Sequence, residues 1–258
     1  MSNFSFLQEQ FPVLAKLGDF AEQYCFSDPN SSILKSGMIN ETIVNLIFTY
    51  DRLPLPCENT AVNRIITLSR EGLITRDICD IMHALRKSRN DASHENYDDP
   101  EKAKVLLEMA YSLCEWFMQT YGDWSYESHP FIMPNPAKAE KSTATQQQKS
   151  KQKREEEALT IKAEETAAAA PAVDKNKRRQ QSHKASNHRY KSEEETRYLI
   201  DEQLRQVGWE VDTQTLRYAK GTRPAKGRNL AIAEWPTDST VGSSGRARSE
   251  EQIGRAHV

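Results

Sequence analysis

EEETRYLIDEQLRQVGWEVDTQTLRYAKGTRPAKGRNLAIAEWPTD, residues 193–238, opens on a charge-rich run and passes through a basic turn into a short apolar segment. Tyr198, Leu199, Leu204 and Val207 fall at 3/4 spacing and predict a helix from about Ser192 to Val207. Glu193, Glu194 and Glu195 place negative charge at its N-terminus, where the helix dipole favours it, and Gly208 ends it. Trp209 and Val211 begin an extended segment. Arg217, Lys220, Arg223, Lys226 and Arg228 follow with no acidic residue between them, ahead of Leu230-Ala231-Ile232-Ala233. A helix, a basic Gly/Pro turn and a short strand fit the edge of an α/β enzyme acting on nucleic acid.

The phrases ETRYLIDEQL, GW and LRYAKGTRPAKGRNLAIAEWPT resemble the start of the endonuclease domain in restriction (R) subunits of type I restriction-modification enzymes. The resemblance implies a nuclease of the PD-(D/E)xK type, whose Asp and Glu-x-Lys hold Mg²⁺ and activate water, joined to an ATP-driven motor. It also implies DNA and the modification and specificity subunits as partners, and a role in restricting foreign DNA, a form of phage defence. In that family the metal-binding residues lie just after the segment matched by Trp235-Pro236-Thr237-Asp238. Here Asp238 is followed by Ser239-Thr240-Val241-Gly242-Ser243-Ser244-Gly245. No Asp with a following Glu-x-Lys comes after it, and G-x-x-x-x-G-K-[ST] occurs nowhere in the chain. The family activity is that of a type I site-specific deoxyribonuclease, but this chain is expected neither to cut DNA by that mechanism nor to hydrolyse ATP. No cofactor or metal is expected in it; Mg²⁺ and ATP belong to the intact family member. Glu195 matches an accessory carboxylate of such nucleases, with a plain helix N-terminal charge as the competing reading. Lys220, Arg223, Lys226 and Arg228 are the expected contacts to the DNA backbone, with a structural turn as the alternative.

Residues 246–258 read as a non-native tail: Arg248 to Val258 is what a common sequencing-adapter sequence would encode when read in two frames.

The chain has 258 residues, a length that allows one or two domains; 37% are hydrophobic and 28% charged, polar enough to predict a solvated stretch. No long apolar run and no leader-like N-terminus occurs, so a cytoplasmic protein without a membrane partner is expected. The net charge of −2 hides an asymmetry. Lys and Arg against Asp and Glu number 11 to 19 over residues 1–137, 14 to 7 over 138–191, and 10 to 11 beyond. Cys25, Cys57, Cys79 and Cys114 show neither C-x-x-C spacing nor a nearby His pair, and Cys79 and Cys114 are expected as buried thiols.

Residues 4–121 read as helices. Phe4, Leu7, Phe11, Leu14, Leu17, Ala21 and Tyr24 step along one face; Ser27-Asp28-Pro29 breaks and caps; Ile33, Ile39, Ile43, Leu46 and Ile47 then point to a core. With the segments around Ile65, Ile81 and Leu107, five amphipathic helices can close one bundle. Within it, Arg86, Asn90 and His94 recur every four residues on one helix face, and Arg89 lies five before His94. This segment resembles the R-x4-6-H signature of the HEPN (higher eukaryote and prokaryote nucleotide-binding) superfamily, helical bundles that often dimerise at the motif. By that resemblance His94 would be the general base on a ribose 2′-OH, Arg89 would stabilise charge on the phosphate and Asn90 would orient the pair, without a metal. The alternatives are nucleotide binding and a structural set that ends the helix.

From Ala137 to His188 there is no Phe, Trp or Tyr. Gln146 to Ala170 has strong helix propensity but only Leu159 and Ile161 as large apolar residues, so a solvated helix is expected, followed after Pro171 by a basic tether able to meet DNA phosphates.

The expected fold is mainly α. It comprises a HEPN-like helical bundle (1–122), a charged, partly helical or disordered linker (123–188), the truncated start of an α/β PD-(D/E)xK-type nuclease domain (189–245), and the tail (246–258). Three functions follow: part of a type I R subunit, a metal-independent ribonuclease or RNA/nucleotide-binding module using Arg89 and His94, or a non-catalytic dimerisation module.

Overall fold

The computed structural model describes residues 2–94, 99–135 and 146–236, with side chains of 146–151 left aside. The expectation for 246–258 lies outside the described residues. The fold is mainly helical. A 3₁₀ helix, Asn3–Leu7, leads into α1 (Pro12–Tyr24), α2 (Pro29–Tyr50), α3 (Ala61–Arg70), α4 (Arg76–His94), α5 (Pro100–Tyr121), α6 (Gln146–Ala169), α7 (Lys175–His188) and α8 (Glu193–Gln206).

Local chemistry sets the helix starts. Asp28, Thr60, Asp99 and Asp174 each accept a first-turn backbone N–H, and proline stands in the first turn after Asp28 and Asp99. Ser192 caps α8, accepting the Glu195 N–H at 3.1 Å.

The chain divides near residue 195 into two compact units. In the first, α2 is the central helix, packed by α1, α4 and α5. It buries residues on most of its circumference, among them Ile33, Ile39, Ile43, Leu46 and Ile47. Two of its buried polar side chains find backbone partners: Ser32 Oγ donates to Ala21 O at 2.7 Å and Asn40 Nδ2 to Met82 O at 3.1 Å. Two glycines permit close approach. A Cβ on Gly18 would lie 2.1 Å from the Phe4 ring, and one on Gly37 would lie 2.4 Å from Arg89 Cβ.

The segment after the bundle departs from the expectation of a solvated helix and free tether. α6 packs on α1 and α2, with Glu156 paired to Lys35 and Glu155 to Lys16. α7 docks on α5 through Arg178, Ser182, Ala185 and Ser186, all buried. Composition could not show this, because charge and hydrogen bonds rather than apolar side chains hold the contact.

In the second unit, α8 leads to two short strands, β1 (Glu210–Val211) and β2 (Leu230–Ala231). They pair in parallel as Glu210 with Leu230 and Val211 with Ala231. Arg217 and Ala233 add an isolated parallel bridge, and a 3₁₀ turn, Tyr218–Lys220, lies in the connection. Among the described residues of this unit no apolar side chain is buried; Val207 is 70% exposed.

Candidate functional sites

α4 carries Arg89, Asn90 and His94 on its last turns. Asn90 and His94 are exposed, while Arg89 is half-buried and bound to Glu41 on α2. The close packing at Gly37 fixes the Arg89 stem against α2, so its guanidinium is held toward that helix. His94 ends α4. Successive helix positions five apart diverge by about 140°. The structure thus puts Asn90 and His94 on the open face and leaves Arg89 with a carboxylate partner.

The basic turn separates into two kinds of residue. Arg223 lies over the Tyr218 ring at 3.9 Å and donates to Tyr218 O at 3.0 Å; Arg228 is paired with Glu210. Both hold the turn to itself. Lys220 and Lys226 are exposed, and neither has an acidic partner among the described residues. Glu195 is buried, 2% exposed, and accepts from Arg189 Nη1 at 2.7 Å. That ion pair occupies its carboxylate. Mg²⁺ therefore has no fitting donor set here: among the described residues no group of three or more His, Cys, Asp or Glu side chains could hold a metal.

Sequence reasoning missed two polar clusters. The first joins α7 to the bundle. Arg178 sits over the Tyr121 ring at 4.2 Å, donates to Thr120 O and lies 3.6 Å from Asp51. Farther along, Ser186 donates to Asp77 at 2.7 Å, and Arg189 and Lys191 each lie 3.5 Å from it. Burial pushes the Asp77 carboxyl up, but hydrogen bonds from Thr75 and Ser186 and the charges of Lys191 and Arg189 outweigh it, and the net shift is downward. Asp51 goes the other way: burial wins over its Tyr121 hydrogen bond and the Arg178 charge.

The second cluster surrounds Glu115 on α5. Its Oε1 accepts from His129 N at 2.8 Å, with Tyr111 Oη at 3.1 Å and Tyr126 Oη at 3.4 Å. Beside it a cavity of about 860 Å³, lined in part by Phe6, Phe26, Tyr111, Tyr126 and Glu22, opens between the first 3₁₀ helix, α1, α5 and residues 126–135. Burial raises the Glu115 carboxyl, and the hydrogen bonds only partly oppose it. A raised carboxyl favours the folded state at low pH and loses that contribution as pH rises through the folded value. Since the donors converge on one oxygen, Glu115→Gln is expected to keep them and to show no loss of stability at pH 7. Glu115→Ala, which strands them, is expected to cost about 1–3 kcal/mol. Urea unfolding at pH 7 checks both, and a Gln variant as unstable as the Ala variant would contradict the assignment.

All four cysteines are unpaired; Cys25 and Cys114 are buried, and burial pushes Cys25 up to about 11. Cys79 is half-buried. No described helix is long and apolar enough to cross a membrane.

Residues 20–155 match the family described as a domain of unknown function, DUF4145. Residues 210–247 match the family described as the second domain of the type I restriction enzyme EcoKI endonuclease subunit. Across 284 aligned residues the chain is 29% identical to the type I restriction enzyme EcoKI endonuclease subunit of Escherichia coli (strain K12), with 92% of this chain and 24% of that protein covered. The chain thus spans about a quarter of the length of that relative. No solved structure matches it. The chain belongs to the DUF4145 family, and it is similar, over most of its length, to the endonuclease subunit of a type I restriction enzyme.

Proposed function

We propose that this chain forms the front part of a restriction subunit. In this reading the helical bundle of about residues 1–122 precedes a linker and the opening of a nuclease domain. The whole protein, working in the cytoplasm with modification and specificity subunits, would restrict foreign duplex DNA by ATP-driven translocation. The observation that carries a DNA role for this segment is the pair of exposed lysines, Lys220 and Lys226, without an acidic partner among the described residues, in the part of the chain matching the EcoKI second domain. Arg223 and Arg228 support the turn that presents them, so their contribution to DNA is indirect or shared with that structural role. Cleavage requires metal ligands beyond those on this chain's described residues, so the role here is to bind and position.

Each lysine that neutralises a phosphate releases counterions and adds about 0.9 to the slope of log affinity against log salt. Lys220→Ala/Lys226→Ala is therefore expected to weaken binding of a labelled 30-bp duplex and lower that slope by about two. An unchanged slope in a folded variant would remove these lysines from the interface.

A second reading rests on Asn90 and His94 being exposed together on α4: the bundle is a HEPN-like module that meets RNA or a nucleotide there, alone or as a homodimer. Because Glu41 holds Arg89, the arginine is not free to stabilise a reacting phosphate, and a binding role fits better than a catalytic one. Incubation of the full chain and His94→Ala with labelled single-stranded RNA in EDTA is expected to give no cleavage by either. Cleavage by the wild type alone would make Arg89, Asn90 and His94 a ribonuclease site.

A further inference from the structure

α7 has an inner face unlike that of a core helix. Its buried stripe, Arg178, Ser182, Ala185 and Ser186, contains no large apolar side chain, and the adjoining Arg189 is also buried. Residues 175–191 hold seven Lys and Arg and no Asp or Glu. Five of those cations are matched to carboxylates. Lys175 and Arg179 meet Glu71, Arg178 meets Asp51, and Arg189 and Lys191 meet Asp77, with Glu195 also on Arg189.

Asp51, Glu71 and Asp77 stand at the end of α2, just after α3 and in the first turn of α4. Three separate elements thus contribute one acid each to the face under a single basic helix. Lys177 and Lys184, seven residues apart, share a face and lie about 10 Å apart along the axis. Both are exposed, with no acidic partner among the described residues.

We propose that α7 is a phosphate-binding helix held masked by the acidic face of its own bundle, and that duplex DNA competes with Asp51, Glu71 and Asp77 for it. This rests on the reading of the chain as a DNA-binding segment. Lys177 and Lys184 make the first contacts with the DNA backbone. Because ion pairs and hydrogen bonds rather than apolar burial hold the helix, phosphates can replace the carboxylates without exposing a large apolar surface on α7. Released cations then add phosphate contacts, so unmasking strengthens binding and steepens its salt dependence.

The test uses the full chain as wild type, Glu71→Gln/Asp77→Asn, and that double variant with Lys177→Ala/Lys184→Ala added. Binding to a labelled 30-bp duplex and to inorganic polyphosphate is measured by fluorescence anisotropy between 50 and 200 mM salt, with far-UV circular dichroism to confirm folding. The unmasked variant is expected to bind DNA roughly tenfold more tightly at 100 mM salt with a steeper slope. Loss of Lys177 and Lys184 is expected to reverse most of the gain. A folded unmasked variant that binds DNA no more tightly than wild type overturns the masking and leaves the DNA reading in place. Tightening toward polyphosphate alone supports the masking and overturns DNA as the ligand.

Discussion

Arg178→Ala is expected to detach α7 rather than to unfold the bundle. In the native chain the guanidinium donates to Thr120 O, covers the Tyr121 ring and faces Asp51, whose carboxylate accepts the Tyr121 hydroxyl at 2.6 Å. Removing one partner of a buried ion pair costs about 3–5 kcal/mol, because the remaining charge keeps its desolvation penalty. Asp51 can escape part of that cost by taking up a proton, since burial already raises its carboxyl. It can escape the rest by meeting water, which requires α7 to leave. The stripe beneath α7 offers little to oppose this: Ala185 is its one buried apolar residue. A detached helix of 14 residues is marginal in water, so it melts. Amide exchange over 175–188 is expected to approach free-peptide rates while α2 and α5 keep their protection. Asp51→Asn is expected to perturb less, because Arg178 retains the Thr120 carbonyl and the aromatic face. Undiminished protection over 175–188 in Arg178→Ala would show that the pair does not hold the helix.

The same pair shows where sequence reading stops. The start of α2 was legible because its chemistry is local: Asp28-Pro29 places a capping carboxylate beside a first-turn proline. The bundle core was legible because Ile, Leu and Phe at helical spacing announce a buried face. α7 gave no such signal. Arginine and serine in its stripe are the composition of a solvated helix, and their partners Asp51 and Asp77 lie more than a hundred residues away. Glu195 was visible as an acid at a helix start and, by resemblance, as an accessory carboxylate. Its burial against Arg189 depends on that distant docking and favours a structural over a catalytic role. Arg223 and Arg228 looked equivalent to Lys220 and Lys226, yet Tyr218 and Glu210 take them up as parts of the turn. Tyr111 and Glu115 did carry a clue, an i, i+4 pair on one helix face, but the His129 N–H that completes the cluster comes from an extended segment without periodicity.

Phe4→Ala is expected to give the largest stability loss in the bundle, about 3–5 kcal/mol. The ring is fully buried at Gly18 of α1 and meets Tyr111 edge-on at 5.7 Å. It joins the first 3₁₀ helix to α1 and α5, so its removal leaves a cavity lined by helices that cannot all shift toward it. The glycine is the other half of the same joint. Gly18→Ala removes a poor helix former, which alone would gain about 1 kcal/mol. Its new methyl would overlap the Phe4 ring, and overpacking of this kind costs about 1–3 kcal/mol. The steric term exceeds the propensity gain over most of that range, so Gly18→Ala is expected to be destabilising. In Phe4→Ala/Gly18→Ala the ring is gone and only the propensity gain remains. The double variant is therefore expected to be more stable than Phe4→Ala alone, a reversal of sign that additive effects cannot produce. Urea unfolding of the three variants measures it. A double variant less stable than Phe4→Ala would mean that Gly18 is needed for something other than room for the ring.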